Sequence, residues 1–397
     1  EIAQCLVGSE MCIRDRNKLT QVICLVFALI FLFSVFAGGL SLLFGQSAHA
    51  QGYTTSAKAM CVMETSSKRV LASKNEDTKL AMASTTKIMT AITAIESGKD
   101  LDKVCEISPK AGGISGTSLY LRQGEKFTLR DLLYGLMLIS GNDASVAIGE
   151  YVGGNVKTFI EMMNKKAKSI GAEYSHFDNT HGLDSKTHYT TARDLALITS
   201  YAMQNPVFKE IVSTTNTKIT NSDGKTRYLK NKNKLLTSLE GCNGVKTGFT
   251  DDAGRCLVTS CERDGMDVVC VVLNCGPMFE ESAQLIEKAF NEYHLIDLTS
   301  IYAFPSKLPV KEGRAEYVSI GTTGKYLYPL KASELKKVKY TCDLPDSLEA
   351  PVSKGDEIGE VKIFIDNDLH FTEKIYTMEN VRRNSIWEKL KDLVEKW

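Results

Sequence analysis

Apolar positions recur along this chain in different rhythms, and each rhythm predicts a different kind of element. Between Ser84 and Ser97, the residues Ile88, Met89, Ala91, Ile92 and Ile95 fall at helical spacing, and Gly98 supplies a stop. Two apolar runs, residues 132–139 and 144–148, flank the polar triplet Ser140-Gly141-Asn142 and read as buried helices joined by a short loop. Apolar runs at Ala59–Glu64, Val70–Lys74, 255–261 and Met266–Leu273 read as strands, the last two forming a hairpin about Asp264-Gly265. Helices fill the interval between the first pair of strands and the last. From Tyr302 to Tyr376 the pattern changes to short alternating runs, 360–365 and 369–376 among them, separated by turn residues. The prediction is an α+β chain: an antiparallel sheet flanked by helices over residues 51–298, then a small all-β domain over 299–378.

Both ends carry further signals. Residues 19–44 are almost continuously apolar, follow Arg14, Arg16 and Lys18, and lead into Ser47-Ala48-His49-Ala50, an A-x-A pattern. We expect a signal peptide within residues 1–50, export, and a mature start near Gln51; an uncleaved membrane span is the alternative. Residues 1–16 resemble translated sequencing-adapter sequence, so an artefactual start is expected there. Over 382–397, Ile386, Trp387, Leu390, Leu393, Val394 and Trp397 recur at helical spacing beside Arg382, Arg383, Lys389, Lys391 and Lys396. We expect an amphipathic helix over 379–397 that lies on a membrane surface, with docking on its own protein as the alternative.

Three motifs in one order carry the chemistry: Ser84-Thr85-Thr86-Lys87, Ser140-Gly141-Asn142 and Lys246-Thr247-Gly248. Each alone is weak, because Ser222/Lys225 and Ser333/Lys336 repeat the first spacing and Ser73/Asn75 repeats part of the second. Context separates them. Only Ser84 opens an apolar helix, where three residues make nearly one turn and stack the Lys87 ammonium beside the serine hydroxyl. Ser140-Gly141-Asn142 alone could be a helix cap, and Lys246 alone could be an exposed lysine guarding an edge strand.

Taken together, the motifs describe an acyl-transferring serine enzyme. A serine hydroxyl needs a base, and Lys87 serves only when neutral, well below the usual lysine pKa of about 10.4. Burial and a second cation, Lys246, would both push it down. Ser140 can relay the proton to a leaving amine, Asn142 can bind a substrate amide, and Thr247 with Lys246 can hold a carboxylate. A substrate with a free C-terminal carboxylate follows.

These motifs, with Asn179-Thr180-His181-Gly182-Leu183-Asp184, Thr191-Ala192-Arg193-Asp194 and Gly244-Val245-Lys246-Thr247-Gly248-Phe249-Thr250, resemble the low-molecular-mass penicillin-binding proteins of the D-alanyl-D-alanine carboxypeptidase family over about residues 55–380. The resemblance implies a β-lactamase/transpeptidase-like catalytic domain. It implies Ser84 as acylated nucleophile, Lys87 as base, Ser140 and Asn142 as the second catalytic element, and Lys246, Thr247, Gly248 and Phe249 as the substrate-binding strand. The oxyanion hole would use the amides of Ser84 and Phe249; some relatives carry histidine at the latter position. The implied reaction removes the terminal D-alanine from peptidoglycan stem pentapeptides, with β-lactam antibiotics acylating the same serine, on the outer face of the cytoplasmic membrane. The small β domain would hold the catalytic domain off that membrane.

Other classes fit less well. A class A β-lactamase would need Glu-x-x-Leu-Asn, whereas Glu173 is followed by Tyr-Ser-His. An α/β-hydrolase would need Gly-x-Ser-x-Gly, which is absent from the sequence, so His181 orders a loop rather than serving a triad. A D,D-endopeptidase of the same fold stays open, as does an idle wall-binding homologue, though intact Ser84, Lys87 and Lys246 weigh against the latter. The 48 basic and 48 acidic residues cancel, so nothing points to nucleic acid. Cys242, Cys256, Cys261, Cys270 and Cys275 lie in or beside apolar strands without zinc-knuckle spacing and read as small buried hydrophobes. The chemistry calls for no metal or organic cofactor.

Overall fold

The computed structural model describes residues 54–385; the expected signal peptide and residues 386–397 of the expected terminal helix lie outside them. Five strands, β1 (Ala59–Glu64), β2 (Val70–Lys74), β3 (Cys242–Thr250), β4 (Gly254–Arg263) and β5 (Met266–Leu273), form one antiparallel sheet in the order β2-β1-β5-β4-β3. The first and last strands of this sheet meet at its centre, because β1 pairs with β5 across some two hundred intervening residues. The β4–β5 hairpin turns at Asp264 and Gly265, with φ of 50° and 77°, as its Asp-Gly sequence predicts.

Between β2 and β3 lie the principal helices α1 (Lys87–Ile95), α2 (Leu129–Leu138), α3 (Asn142–Gly153), α4 (Val156–Ile170) and α5 (Ala192–Met203); α6 (Met278–Glu292) follows the sheet. Alternation along β1 sorts its side chains: Ala59, Cys61 and Met63 join the core shared with α1–α5, while Met60 and Val62 join the core shared with α6. The sheet is therefore covered on both faces, which accounts for the unbroken apolar run of β5, Val268 to Leu273. Cys256, Cys261, Cys270 and Cys275 are buried as free thiols, and Cys242 is half-buried.

Beyond Leu298 a third core, with Val318, Ile320, Val361, Ile363 and Ile375, belongs to a six-stranded sheet that includes Glu357–Ile365 and Asp368–Thr377. Arg69, just before β2, joins the two regions. Its guanidinium pairs with Glu334, donates to the Pro329 carbonyl, and sits 5.2 and 5.1 Å from the ring centres of Tyr293 and Tyr328. Residues 382–385 run without helix: Arg383 bridges Gly313, and the Asn384 amide donates to the Glu312 carbonyl. Backbone pairing to the β domain wins over helical propensity at the start of the segment expected to be helical.

Candidate active site

Ser84 lies one step outside the α-helix that the apolar spacing predicts for it. Ala83–Thr86 forms a 3₁₀ turn, and α1 begins at Lys87 and ends at Ile95. The cause is at Ala83, whose φ of 49° breaks regular helix geometry immediately before the serine. The lysine still reaches it: Lys87 Nζ stands 2.9 Å from Ser84 Oγ. Its other two contacts are oxygens without protons, Asn142 Oδ1 at 2.8 Å and the His181 carbonyl at 2.7 Å.

Ser140 comes from the α2–α3 connection, and Asn142 is the first residue of α3. Gly141 occupies the cap position of α3, and no side chain caps that helix, so the capping alternative for Ser140 and Asn142 does not hold. Asn142 is oriented by a second bond, from its Nδ2 to the Ser115 carbonyl at 2.8 Å. Gly116, with φ of 91°, makes this approach possible, since a Cβ there would lie 2.6 Å from Asn142 Nδ2. Asp143, which sequence reasoning missed, holds the same loop: its carboxylate accepts from Ser118 Oγ and from the amides of Leu119 and Leu121. Ser140 is buried at φ 69°, and its hydroxyl has no hydrogen-bond partner among the described residues.

Lys246, Thr247, Gly248 and Phe249 lie on β3, which is indeed an edge strand, but the Lys246 side chain is only 1 % exposed. An aggregation-guarding lysine would face water; this one donates to the Thr247 carbonyl at 2.8 Å. Gly248 presses on the serine turn, where an added Cβ would meet the Ser84 amide nitrogen at 3.0 Å. Phe249 points outward, 63 % exposed.

Burial drives the Lys87 pKa well below its ordinary value, and the charges of Lys246 and then Lys232 push it further, against an opposing pull from Asp143. Lys246 is pushed down to about 7 by burial and by Lys232. Lys232 is the second residue missed. It is an exposed residue between Asn231 and Asn233, and the latter ties this loop to β3 through the Gly244 carbonyl at 2.7 Å. The repeated Asn-Lys-Asn was the available signal.

The loop after α4 joins these parts. The Thr180 carbonyl accepts from Thr90 of α1, the His181 carbonyl from Lys87, and Asp184 from Thr250 at the end of β3. Asn179 folds the loop back on itself, accepting from the Gly182 amide at 2.6 Å and donating to the Leu183 carbonyl. It is the His181 backbone that touches Lys87; its ring accepts from the Leu183 amide, and burial lowers its pKa to about 4. Ser222 and Ser333, the rival serines, are exposed, and Ser222 bonds the Lys126 carbonyl.

Comparison with known proteins places the chain in a family. The family profile for D-alanyl-D-alanine carboxypeptidase matches residues 45–276, and that for the penicillin-binding protein 5 C-terminal domain matches 295–383. D-alanyl-D-alanine carboxypeptidase DacF of Bacillus subtilis (strain 168) is 30 % identical over 350 residues, covering 86 % of this chain and 90 % of that protein. D-alanyl-D-alanine carboxypeptidase DacC of Escherichia coli (strain K12) is 32 % identical over 360 residues, covering 85 % and 87 %. Among solved structures, penicillin binding protein 5 from Haemophilus influenzae superposes with a TM-score of 0.69 at 27 % identity, over 84 % of this chain and 99 % of that one. With residues of all three motifs brought together around Ser84 and both halves matched, the chain belongs to the D-alanyl-D-alanine carboxypeptidase family.

Proposed function

We propose that this protein is a serine D-Ala-D-Ala carboxypeptidase that trims the terminal D-alanine from peptidoglycan stem pentapeptides through an acyl-enzyme on Ser84. One observation carries the reading. Asn142 Oδ1 and the His181 carbonyl can only accept, so they take two N–H groups of Lys87; a neutral amine then has its lone pair left for the Ser84 hydroxyl. Burial and two neighbouring cations supply the neutral amine.

The Ser84 oxygen attacks the carbonyl of the penultimate D-alanine as its proton passes to Lys87. Negative charge builds on the carbonyl oxygen, where the amides of Ser84 and Phe249 are the proposed donors. As the C–N bond breaks, the leaving D-alanine takes a proton from Lys87 through the Ser140 hydroxyl. Water then attacks the ester as Lys87 accepts its proton; the bond from the acyl carbon to Ser84 Oγ breaks, Lys87 returns the proton to that oxygen, and the shortened peptide leaves. Lys246 and Thr247 hold the terminal carboxylate, and Gly248 lets the strand close on the serine turn. A β-lactam follows the same first step, but its ring nitrogen stays tethered and obstructs water. Export rests on the apolar run 19–44 and the A-x-A pattern, and membrane-surface attachment on the apolar stripe of 386–397. The reaction then occurs in the cell wall space.

The test is release of free D-alanine from an acyl-L-Lys-D-Ala-D-Ala tripeptide by the purified protein. Release that disappears in Ser84→Ala and after penicillin treatment is expected; release that persists in Ser84→Ala would remove Ser84 from the nucleophile's role.

A further inference from the structure

We infer that His188 is a positioning residue that aims the Ser84 amide at the reacting carbonyl, an inference that rests on the reading of Ser84 as nucleophile. His188 is 2 % exposed and belongs to none of the three motifs. Its Nε2 lies 2.8 Å from Thr86 Oγ1, and its Nδ1 lies 3.0 Å from the Asp178 amide nitrogen.

The directions of these bonds are set by groups with no choice. The Asp178 N–H can only donate, so Nδ1 accepts and carries no proton. Thr86 Oγ1 also lies 2.8 Å from the Ala83 carbonyl, which can only accept, so the threonine spends its proton there and must accept from His188 Nε2–H. One neutral tautomer of His188 satisfies the chain, and the Phe177 ring, edge-on at 5.9 Å, holds the imidazole plane.

The chain ends where catalysis needs it. The Ala83 carbonyl and the Ser84 N–H are opposite ends of one planar peptide unit, so a bond that fixes the oxygen also fixes the direction of the N–H. That peptide follows a residue at φ 49°, a conformation an alanine leaves readily unless held. Gly182 closes the other side: a Cβ there would fall 1.9 Å from the Ala83 oxygen and 2.8 Å from Thr86 Oγ1. His188, Thr86 and Gly182 thus clamp one peptide, and its far end is the proposed oxyanion donor. A role of this kind touches the barrier to acylation and leaves ground-state binding alone.

The experiment measures noncovalent dissociation constant and acylation rate constant separately for benzylpenicillin by stopped flow. It compares wild type, His188→Leu, His188→Gln, Thr86→Val, Thr86→Ser and the double variant His188→Leu/Thr86→Val, with the adduct mapped by mass spectrometry. Expected results are a roughly 10- to 100-fold slower acylation in His188→Leu and Thr86→Val with the dissociation constant within about twofold of wild type. Rescue to within about threefold by His188→Gln and Thr86→Ser is expected, and a double variant no slower than either single one. Wild-type acylation rates in a folded His188→Leu, or effects that multiply in the double variant, overturn the proposal. Should His188→Leu fail to fold, Thr86→Val against Thr86→Ser decides on the same criteria. A wild-type adduct that maps away from Ser84 would instead overturn the nucleophile assignment itself.

Discussion

Lys87 and Lys246 are buried together, 0 % and 1 % exposed, and neither has a carboxylate within ion-pair distance among the described residues. Two lysines in that position cannot both stay charged without cost, and burial with Lys246 and Lys232 nearby drives the Lys87 pKa well below its ordinary value. The arrangement spends folding stability on reactivity, since buried lysines with lowered pKa destabilise the fold at every pH below their ordinary range.

The Lys246 charge therefore has a signed effect on the pH profile. Activity rises as Lys87 loses its proton; deleting the neighbouring cation in Lys246→Ala stabilises protonated Lys87, so the acid limb of kcat/KM should move to higher pH. Carboxylate binding should weaken in the same variant, and in wild type it should weaken above about 7 as Lys246 itself loses charge. The kcat/KM profile between pH 5 and 10, taken on both proteins, checks this; an acid limb that stays put would show that Lys246 does not tune Lys87.

Asn142→Asp makes the opposite change at another contact. It replaces a neutral acceptor 2.8 Å from Lys87 Nζ with a carboxylate, which favours the ammonium and removes the base. Acylation by penicillin at pH 7 should fall by about 10²-fold or more and recover in part at alkaline pH. Equal loss at all pH values would point to a displaced backbone instead.

Gly182 and Gly98 share a left-handed backbone, with φ of 91° and 78°, but not surroundings. Gly98→Ala has open space and should cost about 1 kcal/mol. Gly182→Ala drives a methyl group into the Ala83 carbonyl at 1.9 Å and should cost about 3 kcal/mol or more, with acylation lost as well. Urea denaturation of the two variants gives the comparison, and similar midpoints would contradict the proposed clamp on the serine turn.

Arg69→Ala should separate stability from chemistry. The side chain sits over two tyrosine rings and pairs with Glu334, and among the described residues none of these partners bonds a motif residue of the site. Loss of these contacts should cost roughly 1–3 kcal/mol, seen as a lower melting temperature, with the acylation rate constant unchanged. A slower acylation would reveal coupling between the β domain and the site.

Much of the site is legible in the sequence because its chemistry is written in short segments. Ser84 and Lys87 are one turn apart, Lys246 to Phe249 are consecutive, and the strands Ala59–Glu64, Val70–Lys74 and Met266–Leu273 are bounded by their own turn residues. Other parts are not, for physical reasons. Nothing in an alanine announces φ 49°, which tertiary contacts from Thr86 and Gly182 impose on Ala83. Asp143 and His188 act through partners 22 to 102 positions away in the chain, Lys232 acts on Lys87 from a separate loop, and no local period encodes such contacts. The described start of the terminal segment is extended, because residues 382–384 gain backbone bonds to Glu312 and Arg314 that apolar spacing does not reveal.

The measurement that bears most directly on Lys87 as the base for Ser84 is the rate and site of penicilloyl transfer in wild type and Lys87→Met. Methionine fills the buried volume without a charge, so the variant should fold at least as stably as wild type. A penicilloyl mass on the Ser84 peptide in wild type, and acylation slowed by about 10³-fold or more in Lys87→Met, is the predicted result. Acylation of Lys87→Met at the wild-type rate, or an adduct on another residue, would contradict it.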